Sequence, residues 1–342
     1  MSPSISVVVT VYNRFELTKR AVESVLAQSI PVSEVILIDD GSFDGTSELL
    51  PQYLAANPTW RERVRYFHQE NLGPGAARNS GLAQAKSEWL AFIDNDDLWL
   101  PQKLEWQFRA LEQFKDRCGA CITDAWFMNN PRMKMTLFEL AGKQHSEIIG
   151  LIPDPLKYML ERTSAMRVHP VWLQNLVARA DLARRAGGFD LKLRFGDDDD
   201  FVFRLGCETK FCFVGMPMLM IDRTPPAQRH VGANERWDDA DFRLQMAQYR
   251  FEKRLGMGER LPGGIRKIVR GDLAAVHSGW ANWFLQKEEY GKACEAVAEA
   301  ARTHLTPNIA MKWALTRCAP KLARKIVLVR DEHNRSRDFG IG

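Results

Sequence analysis

Two short runs of mostly β-branched residues, Ile5 to Val11 and Val35 to Ile38, flank a stretch that carries Leu17, Ala21, Val22, Val25 and Leu26 at helical spacing. Nearly unbroken apolar strands are those buried on both faces, and an amphipathic helix joining two of them makes a β-α-β unit of a parallel sheet. The chain therefore belongs to the α/β class. Each strand ends in polar residues: Thr10, Tyr12 and Asn13 after the first, Asp39, Asp40, Gly41 and Ser42 after the second. In open α/β sheets ligands bind outside the carboxyl ends of the strands, so these residues stand where a site belongs.

The same texture continues along the chain. A helix is predicted over 46–56, a short strand over 64–68, then a Gly-rich turn and a helix over 76–85. A further strand, Trp89 to Ile93, ends in Asp94, Asn95, Asp96 and Asp97. Beyond it the pattern predicts a helix over 101–114, a strand over 120–127 and an irregular stretch with Pro131, Pro153 and Pro155. Strands over 172–177 and 211–214 and helices over 180–185 and 197–205 return the α/β texture, and from Asp238 the pattern is helical as far as Val329. This divides the chain into an α/β region, 1–235, and a helical region, 236–342, with a basic tail. Within the latter, Gly279 to Pro307 resembles one tetratricopeptide-type hairpin, and a single copy is expected to pack on a larger body.

Composition excludes several classes. With 342 residues, 45% hydrophobic and 26% charged, the chain can bury a full core and is neither fibrous nor disordered. A net charge of +4 is too small to make nucleic acid the expected partner. The charge is unevenly placed, because from Lys312 onward eight basic residues face three acids. Leu322, Ile326 and Val329 interleave there with Lys321, Arg324, Lys325 and Arg330, a pattern that suits peripheral contact with an anionic bilayer. The longest uncharged apolar run, Phe211 to Ile221, is broken by Gly215 and Pro217 and falls short of the roughly 18 residues that span a bilayer. With no basic segment ahead of the first apolar run, a cytoplasmic chain is expected, peripheral at most to the inner face of the membrane. Six scattered cysteines suit reduced thiols, and Cys118 and Cys121 form a C-x-x-C that no second pair completes into a zinc site.

The acidic strand ends carry the chemistry. Asp94-Asn95-Asp96 is a D-x-D whose hard oxygens suit Mg²⁺ or Mn²⁺, with a diphosphate needed to complete the coordination. Asp39 and Asp40 would repel one another as joint ligands, so at least one is expected to bond a polar group. Asp197 to Asp200 open a helix whose dipole tolerates them, and crowding there favours a general base. These residues alone leave phosphoryl transfer and sugar transfer both open.

Four stretches resemble the family 2 glycosyltransferases of the GT-A fold: Ser6 to Asn13, Ile38 to Thr46, Asn71 to Gly81 leading to Phe92 to Asp97, and Gly187 to Asp190 leading to Gly196 to Arg204. The resemblance covers about residues 4–235. It implies a Rossmann-like, mixed but mostly parallel sheet flanked by helices, and an inverting transfer from a nucleotide-diphosphate sugar, with a UDP-sugar favoured. Thr10 and Asp40 then match contacts to base or ribose, with Tyr12, Asn13 and Asp39 beside them, and Arg78 matches a contact to base or diphosphate. Asp94 and Asn95 would lie at the nucleotide sugar, and Asp96 with Asp94 would hold Mn²⁺ or Mg²⁺. Asp198 matches the catalytic base, six residues before Arg204, while Asp197 replaces the more common Glu. His230 lies where many relatives keep a histidine near the diphosphate or metal. Processive members carry Q-x-x-R-W, but Arg236-Trp237 here follows Ala233 in place of Gln, which implies a single addition. The acceptor is expected to be a glycan or a lipid-linked sugar, with Trp126, Trp172 and 128–170 on its side. A nucleotidyltransferase would need a G-x-G-T-R-like loop after the first strand, which Thr10 to Arg14 does not supply, and a non-catalytic nucleotide-sugar-binding scaffold is the other rival.

Overall fold

The structure, a computed structural model, describes residues 3–130, 133–161, 168–224 and 239–335, with side chains as far as Arg330. It separates into two compact units, Met1–Gly232 and Ala233–Gly342.

In the first unit β1 (Ile5–Val11), α1 (Phe15–Leu26) and β2 (Glu34–Asp40) form the expected β-α-β. α2 (Thr46–Ala56), α3 (Pro58–Arg63), β3 (Val64–Gln69), α4 (Pro74–Gln84) and β4 (Trp89–Asp94) follow. Then come β5 (Leu98–Trp99), α5 (Lys103–Gln113), β6 (Ala120–Met128), α6 (Leu137–Leu140), β7 (Ile149–Ile152) and α7 (Pro155–Leu160). β8 (Leu176–Arg179), α8 (Ala180–Arg185), α9 (Asp197–Glu208) and β9 (Phe211–Asp222) complete it.

The sheet runs β3-β2-β1-β4-β8-β6-β9-β5, with β7 pairing β9. β3, β2, β1 and β4 are mutually parallel, as are β6 and β9, while β8 is antiparallel to both neighbours. Every residue of β2 is buried and β1 exposes only part of Thr10, as continuous apolar runs require of central parallel strands. The chain leaves β1 toward β2 and β3, then returns to place β4 on the other side of β1. That reversal is a topological switch point, and it opens a crevice over the carboxyl ends of β1 and β4. Thr10 and Asp94 are register partners across it.

α4 lies close to this crevice because Gly81 has no side chain. A Cβ there would meet Val8 Cγ1 at 2.2 Å, in the fully buried centre of β1. Gly81→Ala is expected to cost about 1–3 kcal/mol through overpacking, read as a lowered thermal midpoint. An unchanged midpoint would show that the helix can shift freely.

Some elements differ from the sequence expectation. Residues 172–177 are not one strand, since Leu173–Asn175 is a 3₁₀ turn and pairing starts at Leu176. The Asn175 amide donates to Thr123 O at 2.7 Å and Pro170 O at 3.1 Å, and these bonds hold the turn against strand propensity. β9 continues past Val214 to Asp222, because register shifts against β6 absorb Gly215 and Pro217. The irregular stretch contains α6, β7 and α7, with β7 finding its partner in β9. Cys121 and Cys212 are register partners in the sheet. Hydrogen bonding with Cys212, together with burial, pushes the Cys118 thiol well above its ordinary value. This disfavours the thiolate that metal or redox chemistry requires.

The second unit is helical: α10 (Ala240–Gly256), α11 (Gly263–Gln286), α12 (Tyr290–Thr303), α13 (Pro307–Cys318) and α14 (Pro320–Arg335). The predicted hairpin is formed by α11 and α12, and Leu285 and Ala293 pack between it and Ala323 and Val327 of α14. Among the described residues no helix is long and apolar enough to cross a membrane.

Candidate active site

The site is built around one buried arginine. Arg78, on α4, donates from Nη1 to Asp197 Oδ2 at 2.8 Å and from Nη2 to Asp94 Oδ1 at 3.1 Å. The link joins the start of α9 to the end of β4 across 119 residues of sequence. Burial opposes the guanidinium charge, but Asp197, Asp94 and Asp198 outweigh it and hold the group above its ordinary range. The Asp197 carboxyl is pushed up to about 6 by burial, with Arg78 opposing and Asp198 adding to the rise. Gly75 makes room for it, since a Cβ there would lie 3.3 Å from Asp197 Oδ2. Gln174, in the 3₁₀ turn, donates to the other oxygen of Asp94.

A second cation braces the D-x-D. Arg14 Nη1 donates to Asp96 Oδ2 at 2.8 Å. Asn13 and Arg14 have φ of 61° and 69°, a left-handed pair that non-glycine residues rarely adopt. Ser42 Oγ accepts from Asn13 N at 2.7 Å, Asp44 Oδ2 from Arg14 N at 2.7 Å, and Asn13 Oδ1 from Phe43 N at 2.9 Å. These bonds fix the turn that aims Arg14 at Asp96, and such strain persists only where the surroundings over-determine it. Burial and Asp94 push the Asp96 carboxyl up, with Arg14 opposing. Asp97 is raised further, by burial and then by Asp96 and Asp94. Its Oδ1 accepts from Asp222 N at 2.9 Å, while its buried Oδ2 has no hydrogen-bond partner among the described residues. Carboxylates are thus in local excess at the end of β4, a charge state that a hard cation would relieve. Among the described residues no three His, Cys, Asp or Glu side chains converge into a metal site by themselves.

The four aspartates at the start of α9 are sorted by their partners. Asp197 holds Arg78, Asp199 Oδ1 lies 2.6 Å from His169 Nε2, and Asp200 Oδ2 lies 2.8 Å from Arg204 Nη2. His169 Nδ1 accepts from Val171 N at 3.2 Å, so the ring proton sits on Nε2 and is donated to Asp199. Arg204 also donates to the carbonyls of Ala186 and Gly188, which fastens α9 to the preceding turn. Asp198 is half-buried, and among the described residues it has no ion pair and accepts only from Asp199 N, at 2.8 Å.

Other expected residues fall into two groups. Thr10, Asp94, Asp96 and Arg78 gather at the switch point, with Tyr12 nearby, edge-on to the exposed Phe43 at 5.9 Å. Asp39, Asn13 and Asn95 turn inward instead. Asp39 is fully buried and accepts from Ser42 N, Ser47 Oγ and Tyr66 OH at 2.7–3.0 Å, so its carboxylate braces the loop after β2. Asn95 donates to Asn13 O and Thr18 Oγ1, both at 3.1 Å, and clasps the loops after β1 and β4. Asp40 accepts from Gln69 Nε2, Leu72 N and Gly73 N and ties β2 to the turn before α4. His230, Arg236 and Trp237 lie outside the described residues.

Sequence reasoning missed Arg14, Gln174 and His169. Arg14 stands beside the polar strand end and was open to notice. Gln174 and His169 gave no signal, because only the antiparallel return through β8 brings them to the site.

The model of the glycosyl transferase family 2 matches residues 6–181, and the chain belongs to that family. The putative teichuronic acid biosynthesis glycosyltransferase TuaG of Bacillus subtilis is 41% identical over 186 residues, 53% of this chain and 70% of that protein. Three rickettsial glycosyltransferases are 40–42% identical over 109 residues, so the chain spans less than a fifth of their length. Among solved structures, S. aureus TarS 1-349 in complex with UDP-GlcNAc aligns at a TM-score of 0.62 and 15% identity, over 97% of this chain and 92% of that one. The mannosyltransferase PcManGT of Pyrobaculum calidifontis, in complex with GDP-Man and Mn²⁺, aligns at 0.54 and 19%, over 96% and 84%. The fold is GT-A, with a helical region after it.

Proposed function

We propose that this chain transfers one sugar at a time from a nucleotide-diphosphate sugar, a UDP-sugar by preference, to a hydroxyl of a glycan or lipid-linked acceptor, with inversion at the anomeric carbon. The reading is carried by the partnering of the acidic run on α9. Three of its four carboxylates are committed to Arg78, His169 and Arg204, and Asp198 is left to take a proton. In the reaction the acceptor oxygen bonds to C1 as the bond from C1 to the diphosphate oxygen breaks. Asp198 receives the hydroxyl proton and the nucleoside diphosphate departs. A single displacement needs no protein nucleophile, and it inverts the centre.

Asp94 and Asp96 would hold Mn²⁺ or Mg²⁺, an assignment supported by their oxygen-only chemistry and the surplus of carboxylates around them. When bound, the cation neutralises charge on the diphosphate. Arg78 donates to Asp94 and Arg14 to Asp96, and these bonds hold the two carboxylates in orientation. The complex of TarS with UDP-GlcNAc supports the choice of donor class, and TuaG supports an acceptor of the cell-surface polysaccharide type. A cytoplasmic site of action fits such a donor.

The test is release of nucleotide from a panel of UDP- and GDP-sugars. Release is expected with Mn²⁺, lost on chelation, and reduced on the order of 10²-fold or more in Asp96→Ala. Nucleotide binding without turnover of any donor would favour the scaffold reading. Pyrophosphate-dependent formation of a nucleotide sugar would favour a nucleotidyltransferase.

A further inference from the structure

Helix α14 has two apolar edges, of which the second unit uses one. Ala323 and Val327 face inward and pack on Leu285 and Ala293, at 3% and 8% exposure. Leu322, Ile326 and Val329 follow one another at the i, i+4, i+7 spacing of a helical stripe, yet they are 51, 50 and 59% exposed. On α13, the segment just before it, Met311 and Trp313 are also exposed. Isolated apolar side chains on a surface mean little, but a periodic stripe marks a contact.

The charges beside the stripe select the partner. Lys321, Lys325 and Arg330 are exposed around it, whereas Arg324 turns to Glu288 at 3.0 Å. A second copy of the chain would have to set these cations against their own kind. An anionic bilayer takes both features together, with apolar side chains entering the acyl boundary and ammonium and guanidinium groups among lipid phosphates. We propose that α14 is an interfacial helix, seated parallel to an anionic membrane with Leu322, Ile326 and Val329 inserted and Lys321, Lys325 and Arg330 on headgroups. The inference stands apart from the reading of sugar transfer, since none of these residues belongs to the site on the first unit.

The intact chain is tested by co-sedimentation with phosphatidylcholine vesicles, with and without phosphatidylglycerol, at low and high salt. Binding is expected only with phosphatidylglycerol and is expected to weaken as salt rises. Ile326→Asp with Val329→Asp, on an exposed face where folding is not at stake, should lower binding about tenfold or more. Lys321→Glu with Lys325→Glu should do likewise, each basic residue being worth about fivefold near the surface. Both variants should keep the wild-type thermal midpoint and rate of donor hydrolysis. Equal binding by wild type and either variant, or none to anionic vesicles, would overturn the proposal. So would a dimer in size-exclusion chromatography that Ile326→Asp dissociates, because a second copy would then be what covers the stripe.

Discussion

Asp198→Asn is expected to lower sugar transfer by about 10³-fold while nucleotide affinity and thermal midpoint stay at wild-type values. Asparagine preserves the shape of the side chain and can still accept from Asp199 N, the bond the carboxylate makes now. It cannot take up a proton from an acceptor hydroxyl. The position at the start of α9 favours negative charge there through the helix dipole, and the absence of a cation partner among the described residues leaves the carboxylate available. Neighbouring substitutions should read differently. Asp200→Asn removes the charge that holds Arg204, whose bonds to the carbonyls of Ala186 and Gly188 fasten α9, so it should lower the thermal midpoint along with the rate. Single-turnover transfer and nucleotide titration on the same samples check this. Transfer retained by Asp198→Asn would remove it as base and direct attention to Asp197, whose carboxyl is already held near 6.

The sequence made the strands legible because parallel central strands must be apolar on both faces, as the burial of β1 and β2 bears out. Their carboxyl ends could be read as the site for the same reason. What each polar residue does there could not be read, because direction is set by partners distant in sequence. Asp39 and Asp40 look alike in a row of text, yet Asp39 is sealed by Ser47 and Tyr66 while Asp40 holds the turn before α4. Nor could Asp197 to Asp200 be told apart until Arg78 of α4 was seen on Asp197, His169 on Asp199 and Arg204, one turn further along α9, on Asp200. β7 could not be read because its four residues are a strand only through pairing with Phe211 to Val214, a partner distant in sequence.

Arg78→Met should be the most destabilising single change at the site, costing about 3–5 kcal/mol near neutral pH. Removing the guanidinium leaves Asp197 buried without a cation and takes from Asp94 one of its two hydrogen bonds. The dependence on pH distinguishes lost charge from lost packing. The Asp197 carboxyl is raised to about 6 in the folded chain, above its unfolded value, so its ionisation costs stability as pH climbs through that range. Without Arg78 the same ionisation costs more, and the cost vanishes once the carboxyl is protonated in both states. The deficit of Arg78→Met relative to wild type should therefore be greatest above pH 7, shrink as pH falls through about 6, where the Asp197 carboxyl becomes protonated in both folded proteins, and change little from there to about 4. Arg78→Lys should recover only part of it, since one ammonium cannot reach both Asp197 and Asp94 as the planar guanidinium does. Thermal midpoints of the three proteins across that range supply the check. A deficit of equal size at every pH would mean that Arg78 contributes by filling space, and that the charge chain from α9 to β4 does not hold the site together.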